Sequence, residues 1–217
     1  MAGHDATEMT TIQRLRDSGI VAILTVEDAA TITDVVDALV DGGVSAIEVT
    51  LRTSAGWDAI ERLGSRSDAV VGAGTVLNAE DARRAAALGA TFVVSPGLDA
   101  SVVEETAGLG LLPLPGIATP TELQHALKLG LSAVKLFPAE PLGGVGMLKA
   151  LAGPFADVTF MPSGGINPGN LESYLALPNV FAAGCSWLVT AELVAAKKFD
   201  EIRQRAHDAA ALVGARD

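Results

Sequence analysis

Lys135 is the residue of this sequence whose surroundings say most about chemistry. It lies between Val134 and Leu136 in an apolar run, and long charged side chains are seldom buried without a partner or a use. Burial disfavours the ammonium form, and a neutral amine can form a Schiff base with a carbonyl substrate. The alternative is a purely structural ion pair with Glu48.

A carboxylate and a guanidinium stand close together in the segment AIEVTLRT. Glu48 alternates there with apolar neighbours, so in a strand its side chain points to the opposite face from theirs, towards a barrel interior. A buried acid is costly unless it is paired or used, which favours a role in proton transfer. Arg52 has the planar fork that suits a carboxylate. Its alternative role is an ion pair with Asp58 or Glu61.

Two glycine-containing segments have the composition of an anion site. The segment SGG runs from Ser163 to Gly165, and the segment GCS runs from Gly184 to Ser186. Glycines allow backbone N–H groups to converge on a phosphate, and the loops after strands seven and eight are the recurrent phosphate site of α/β barrels. Either segment by itself could equally be an ordinary turn.

These residues must be positioned by eight short apolar runs, spaced 20 to 25 residues apart. Each run is too short for a helix and too continuously apolar for a strand with one wet face, which is typical of a parallel sheet covered on both sides. Helical segments with readable ends alternate with the runs, such as Thr119 to Gly130 with its capping box. The runs begin near Ile20, Ser45, Ala69, Thr91, Leu111, Ser132, Asp157 and Asn179.

The pattern predicts an α/β fold, a single (β/α)8 TIM barrel with an extra N-terminal helix, as one domain over residues 1–217. The extra helix, over 10–17, could plug the bottom of the barrel, and a last outer helix is predicted over 199–213. Asn78 and Asn167 are predicted to begin helices. An open doubly wound sheet is the alternative architecture.

Composition excludes several classes of function. The chain has 217 residues, 49 % of them hydrophobic, and a formal charge of −11, which repels nucleic acid and anionic membranes. The uncharged window 173–191 is interrupted by Pro178, Asn179 and Gly184, so we reject a transmembrane reading. One cysteine and a polar N-terminus without a signal peptide predict a cytoplasmic protein.

Other chemical sites are not supported by spacing. Gly72 and Gly74 begin a G-x-G, but Leu77 occupies the third glycine position of the dinucleotide fingerprint. The histidines have no ligand spacing, so no metal is expected. Cys185 has no histidine near it in sequence and is interpreted as a small buried residue. The histidines are His4, His125 and His207.

Taken together, the motifs resemble the class I aldolases that cleave 2-keto-3-deoxy-6-phosphogluconate (KDPG) and 4-hydroxy-2-oxoglutarate (KHG). The resemblance covers most of the chain, with the blocks in family order. The blocks are GGVSAIEVTLRT from Gly42, VVGAGTVLN from Val70, VVSPGL from Val93, PGIATPTE from Pro115, VKLFPAE from Val134, LAGPF from Leu151, MPSGGI from Met161 and GCSWLV from Gly184.

The resemblance implies roles for individual residues. Lys135 would be the Schiff-base lysine and Glu48 the general acid and base. It also implies a small 2-keto acid substrate, pyruvate as product, a homotrimer, and neither metal nor organic cofactor. The substrate-binding set would be Arg52 and Thr75 for the carboxylate, Pro96 and Phe137 as walls of the pyruvyl group, Ser163 beside the substrate hydroxyls, and Gly164, Gly165, Gly184 and Ser186 for the phosphate.

Two positions depart from the family pattern. Ser163 stands where threonine is frequent, and Thr25 stands where many relatives have an arginine. The choice among phosphogluconate, phosphogalactonate and hydroxy-oxoglutarate substrates stays open. From the residues alone, two rivals also stay open: a phosphate-binding barrel isomerase or synthase in which Lys135 acts electrostatically, and a binding barrel without catalysis. The presence of Glu48, Arg52, Thr75 and Lys135 together argues against the second rival.

Overall fold

Eight parallel strands form the centre of the molecule. The computed structural model describes residues 2–214, with side chains described from Thr10 onward. Most of the strands begin within one or two residues of the apolar runs. They are β1 (Ile20–Thr25), β2 (Ala46–Thr50), β3 (Val70–Gly74), β4 (Phe92–Ser95), β5 (Leu112–Ile117), β6 (Ala133–Leu136), β7 (Thr159–Pro162) and β8 (Ala183–Cys185).

The strands close into a barrel. The spatial order is β7-β6-β5-β4-β3-β2-β1-β8, and every pairing is parallel. Single bridges from Phe160 to Val180 and from Ser163 to Gly184 join the two ends of this order. The predicted (β/α)8 barrel is therefore confirmed, and the open doubly wound alternative is wrong because that sheet would have two free edges.

The eighth strand begins later than the sequence predicts. The apolar run begins near Asn179, whereas β8 begins at Ala183. The run opens as a turn, because the Val180 N–H donates to the Leu177 carbonyl at 3.0 Å and the Asn179 amide donates to the Leu148 carbonyl at 3.0 Å. Val180 forms a bridge to Phe160 of β7, and the strand itself starts at Ala183, where the chain pairs with β1.

Helices connect the strands on the outside of the barrel. The Thr119–Glu122 capping box is present, and the Asn78 side chain accepts from the Asp81 N–H, as predicted. Asn167 does not begin a helix, because its side chain closes a turn by accepting from the Gly169 N–H. The helices are α1 (Ala2–Ser18), α2 (Ile32–Asp41), α3 (Ala55–Leu63), α4 (Ala79–Ala87), α5 (Ala100–Gly108), α6 (Pro120–Lys128), α7 (Gly144–Ala152), α8 (Leu171–Leu175), α9 (Ala191–Ala195) and α10 (Phe199–Gly214).

The barrel interior is an apolar core of its own, separate from the core between strands and helices. Leu15 of α1 is fully buried within it, so the N-terminal helix plugs the barrel as predicted. Because strand side chains alternate between faces, the residues two positions further along each strand also point inward, nearer the C-terminal mouth. The inner core comprises Leu15, Val21, Ala46, Val70, Phe92, Val94, Leu112, Leu114, Ala133, Met161, Phe181 and Ala182.

No helix within residues 2–214 combines the length and the apolar character that crossing a bilayer requires.

Candidate functional site

Lys135 and Glu48 meet inside the barrel, above the apolar inner core. Glu48 follows Ala46 on the inner face of β2, and Lys135 follows Ala133 on the inner face of β6. The Lys135 Nζ lies 3.4 Å from the Glu48 Oε1. Both residues are buried, with 6 % and 1 % of their surface exposed. The structure thus joins two side chains that are 87 residues apart in sequence.

Glu48 has one carboxylate oxygen to spare. Its Oε1 contacts the lysine, whereas its Oε2 is buried with no hydrogen-bond partner among the described residues. A buried, unpaired acceptor is costly unless a water or a ligand satisfies it. This oxygen is therefore available to exchange a proton with a molecule bound at the barrel mouth.

Gly74 makes the room that Glu48 occupies. A side-chain carbon at Gly74 would lie 2.3 Å from the Glu48 Oε1 and 2.6 Å from its Cγ. The inner face of β3 is thus left bare beside the acid. In the sequence, Gly74 belongs only to a G-x-G without the third glycine of the dinucleotide fingerprint, and its role beside Glu48 is not predicted. The signal that could have revealed it was a glycine on the strand next to an inward-facing carboxylate.

Arg52 and Thr75 lie side by side at the mouth, at the ends of neighbouring strands. The Leu51 N–H donates to the Gly74 carbonyl at 2.8 Å. Arg52 follows Leu51 and Thr75 follows Gly74, so Arg52 and Thr75 lie at the same height along the barrel axis. Arg52 is exposed, and within residues 10–214 it forms neither of the ion pairs with Asp58 or Glu61 that the sequence left open. Its guanidinium is consequently free to bind an anion.

Thr75 adopts an unfavourable backbone conformation. Its φ is +61°, in the left-handed region that β-branched residues rarely adopt. Such strain costs of order 1 to 3 kcal/mol and clusters at functional sites. Thr75 is half-buried immediately after β3. Thr75 is thus a strained residue at the C-terminal end of the barrel.

A pair of threonine hydroxyls, whose contact is not predicted from the sequence, joins the first two strands at the mouth. Thr50 is fully buried, and its hydroxyl lies 3.1 Å from the hydroxyl of Thr25 and 3.1 Å from the Leu24 carbonyl. Thr25 is one of the two departures from the family pattern. In this chain it fixes the end of β1 against β2 rather than supplying a charge.

The two glycine segments come together on the opposite side of the mouth. Gly164 and Gly165 have φ values of +95° and +87°, which only glycine adopts readily in succession. A side-chain carbon at Gly184 would lie 3.0 Å from the Ser163 Oγ, so the two segments touch. The N–H groups of Gly165 and Ile166 donate to no acceptor among the described residues. Ser186 is exposed next to this site.

Phe137 and Pro96 border the same mouth. The Phe137 ring centroid lies 5.1 Å from the Lys135 Nζ. Pro96 is exposed after β4, and its carbonyl oxygen would lie 2.3 Å from a side-chain carbon at Gly116, on the strand next to β6. The aromatic ring of Phe137 therefore lies beside the amine, and Pro96 lies close to Gly116, which pairs with Lys135.

The remaining candidate groups are placed elsewhere. Burial raises the pKa of the Cys185 thiol to about 12, so little thiolate exists at neutral pH. His4 lies outside the residues whose side chains are described. Among the side chains from Thr10 to Gly214, no three His, Cys, Asp or Glu residues cluster as a metal site would require.

A barrel whose interior holds a buried amine against a carboxylate, beside backbone N–H groups without acceptors among the described residues, has the groups that an enzyme working through a lysine Schiff base requires. Residues 11–205 match the family model described as KDPG and KHG aldolase. The chain belongs to this aldolase family.

Individual relatives agree with the family assignment. The 2-dehydro-3-deoxy-phosphogluconate aldolase of Treponema pallidum is 43% identical over 94% of this chain and 96% of its own length. The KHG/KDPG aldolase of Escherichia coli K12 is 43% identical over 88% and 90%. A crystal structure of the KDPG aldolase of Legionella pneumophila, with pyruvate captured at low pH as a covalent carbinolamine intermediate, superimposes with a TM-score of 0.87. It is 34% identical and covers 91% of this chain and 96% of that one.

Proposed function

We propose that this chain forms one aldolase domain over residues 1–217, which cleaves KDPG reversibly to pyruvate and glyceraldehyde 3-phosphate through a Schiff base on Lys135. The observation that carries the proposal is the buried contact of 3.4 Å between Lys135 and Glu48, with the second Glu48 oxygen unpaired. The carbinolamine trapped in the Legionella relative supports this chemistry. The resemblance of both residues to the family's lysine and acid supports the assignment of roles.

The first half of the reaction forms the imine. The neutral Lys135 nitrogen attacks the C2 ketone, and the oxygen takes up a proton to give a carbinolamine. Glu48 then donates a proton to the departing hydroxyl, which leaves as water, and the C2–N iminium forms. The iminium carries positive charge next to C3, so it can accept the electron pair of the C3–C4 bond.

The second half breaks the carbon–carbon bond. Glu48 accepts the proton of the C4 hydroxyl, the C3–C4 bond breaks, and glyceraldehyde 3-phosphate leaves as the aldehyde. The electron pair moves to the enamine of pyruvate, which Glu48 protonates at C3. Water then adds to the iminium and the C–N bond breaks, which releases pyruvate and the free amine. This iminium is the electron sink, so the cycle as written uses no metal or organic cofactor.

Arg52 and Thr75 bind the carboxylate at C1 in this proposal. Arg52 is exposed and free of ion pairs with the described residues, and a guanidinium forms bidentate contacts with a carboxylate. Because Arg52 and Thr75 follow the neighbouring strands β2 and β3, a guanidinium and a hydroxyl would both contact the C1 carboxylate. Phe137 and Pro96 border the pyruvyl carbons.

Replacing Thr75 with glycine is expected to stabilise the fold and, at the same time, to weaken binding of the keto acid. Glycine adopts a φ near +61° without strain, so the free energy of unfolding should rise by about 0.5 to 1 kcal/mol. The KM for the keto acid should rise about tenfold because a hydroxyl contact is lost. Thermal unfolding and steady-state kinetics measure the two effects.

Lys197→Gly is the matched control for this substitution. Lys197 also has a positive φ, +51°, but is exposed at the end of α9. It should gain similar stability with unchanged KM. A Thr75→Gly enzyme with unchanged KM would contradict the proposed carboxylate contact.

The phosphate at C6 is assigned to Gly164, Gly165, Gly184 and Ser186, with Ser163 beside the sugar hydroxyls. The support is the contact between the two segments and the N–H groups of Gly165 and Ile166, which have no acceptor within the described residues. KHG carries a carboxylate instead of this phosphate ester, so it makes fewer contacts there. We therefore propose KHG as a second, weaker substrate, in line with the double name of the Escherichia coli relative.

Reduction with cyanoborohydride in the presence of pyruvate tests the proposed chemistry. We expect a mass increase of one reduced pyruvyl group on Lys135, located by peptide mapping. A protein that shows no adduct, or one on another lysine, would refute the assignment. Comparison of kcat/KM for KDPG, its galactonate epimer and KHG then tests substrate choice, and a higher value for either of the other two acids would overturn the preference for KDPG.

We also propose a cytoplasmic homotrimer that binds small keto acids. The family resemblance supports the trimer, and the presence of a single cysteine fits a reducing compartment. Light scattering is expected to give the mass of three chains of 22.1 kDa each, and a monomer mass would refute the assembly.

A further inference from the structure

A tyrosine and a glutamate outside the assigned residues form a hydrogen-bonded pair behind the Gly164–Gly165 loop. Tyr174 lies in α8, is fully buried, and donates its hydroxyl to the Glu140 Oε1. Glu140 is exposed and begins the short 3₁₀ turn Glu140–Leu142, five residues after Lys135. The pair connects the segment that follows β6 to the helix that follows β7.

Glu140 contacts the glycine loop through its backbone and its side chain. Its N–H donates to the Gly164 carbonyl at 3.0 Å, and the preceding Ala139 N–H donates to the Ser163 carbonyl at 2.7 Å. A side-chain carbon at Gly165 would lie 2.6 Å from both the Cβ and the Cγ of Glu140. The aliphatic part of Glu140 therefore packs directly on Gly165.

Further contacts fix the direction of the loop's peptide groups. The side-chain amides of Asn167 and Asn170 both donate to the Gly165 carbonyl at 3.1 Å. Since the carbonyls of Gly164 and Gly165 are bound on the protein side, the N–H groups of Gly165 and Ile166 point the other way and have no acceptor in the part of the chain that the structure describes. This is the arrangement in which successive N–H groups form a concave anion site.

Space for the pair is reserved by another glycine. A side-chain carbon at Gly144 would lie 2.6 Å from the Tyr174 hydroxyl and 2.8 Å from the Glu140 Oε1. Burial, together with the neighbouring Glu140, raises the pKa of Tyr174. The Tyr174 hydroxyl therefore stays protonated, and remains a hydrogen-bond donor, at neutral and moderately alkaline pH.

We infer that Tyr174 and Glu140 are positioning residues that hold the Gly164–Gly165 loop in the conformation that binds the substrate's phosphate. Neither touches the reacting carbons in the proposed mechanism. This inference rests on the proposed function, since it assumes that the loop binds the C6 phosphate of KDPG. The pair thereby contributes to the preference for a phosphorylated acid over an unphosphorylated one.

Tyr174→Phe tests the inference, because it removes the hydroxyl alone. The KM for KDPG is expected to rise about five- to tenfold, the loss corresponding to one hydrogen bond that holds the loop. The kcat for KDPG and the KM for KHG should stay within about twofold of wild type. Ser173→Ala is the matched control, since it removes an exposed hydroxyl from the same helix and should leave both KM values unchanged.

Two substitutions at the exposed Glu140 test the positioning role independently of Tyr174. Glu140→Ala should reproduce the rise in the KM for KDPG. Glu140→Gln keeps an oxygen acceptor for Tyr174, so its KM for KDPG should stay within about twofold of wild type. An equal rise in KM for both substrates, or no rise for either, would overturn the inference.

Pyruvate trapping on the same proteins separates the two proposals. If wild-type Lys135 gives no borohydride adduct, the proposed function has failed. If wild type and Tyr174→Phe both give the adduct, but the ratio of the KM for KDPG to the KM for KHG is the same in the two enzymes, only the positioning role has failed.

Discussion

Lys135→Ala is expected to lower kcat for KDPG cleavage by about 10,000-fold or more, because the nucleophile of every covalent step is lost. The amine is buried and in contact with Glu48, so neither bulk water nor another described lysine can take its place there. Steady-state kinetics and the loss of the pyruvate adduct measure the effect together.

Lys135→Arg distinguishes a nucleophile from an electrostatic group. Arginine retains the positive charge beside Glu48 but is not deprotonated in proteins, so it cannot form the imine. We expect it to be as inactive as the alanine variant. Cleavage by Lys135→Arg within tenfold of wild type would contradict the Schiff-base assignment. Lys128→Ala, at an exposed position in the last turn of α6, is the control and should retain full activity.

Gly74→Ala is expected to lower kcat about 100-fold, which is the scale of loss for a catalytic group displaced by about 1 Å. The added methyl would lie 2.3 Å from the Glu48 Oε1, so the carboxylate must move. Gly74 lies in an extended strand with no positive φ, so the alanine backbone itself is unstrained. The substitution therefore acts through the contact with the acid.

A double-mutant cycle isolates that contact. In a Glu48→Ala background the clash is absent, so Gly74→Ala should lower kcat by no further measurable amount. Gly146→Ala is the matched control, since a methyl there has no atom within 4 Å on the exposed face of α7. Additive losses in the cycle would show that Gly74 does not act by accommodating Glu48.

Local sequence predicted the strands and which way their side chains face. The alternation of Glu48 with Ile47 and Val49 predicts an inward-facing acid, and the structure places those two neighbours in the outer core. The apolar run around Lys135 predicts a buried amine in the same way. Both succeeded because the two-residue period of a buried strand is a local property of the chain.

Local sequence failed where two distant segments decide the outcome. Pro178 and Asn179 are turn-forming residues, but nothing near them shows that the Asn179 side chain binds the distant Leu148 carbonyl and so delays the start of the eighth strand. Nothing near Arg52 shows that it pairs with neither Asp58 nor Glu61, its neighbours in the following helix. Such outcomes depend on where the fold brings together elements that are distant in sequence, and on which side chains are then close enough to interact.

The amino-acid sequence was enough to predict a parallel α/β fold with a buried acid and amine, and its motifs resembled one aldolase family, but it left an open sheet as the alternative to a barrel. The folded chain was needed to show that Lys135 and Glu48 lie 3.4 Å apart, that Gly74 leaves room for the acid, and that Tyr174 donates a hydrogen bond to Glu140 beside the glycine loop. The physical reason is barrel closure. The tilt and stagger of eight strands set which inward side chains meet, and this geometry belongs to the closed ring rather than to any segment of it.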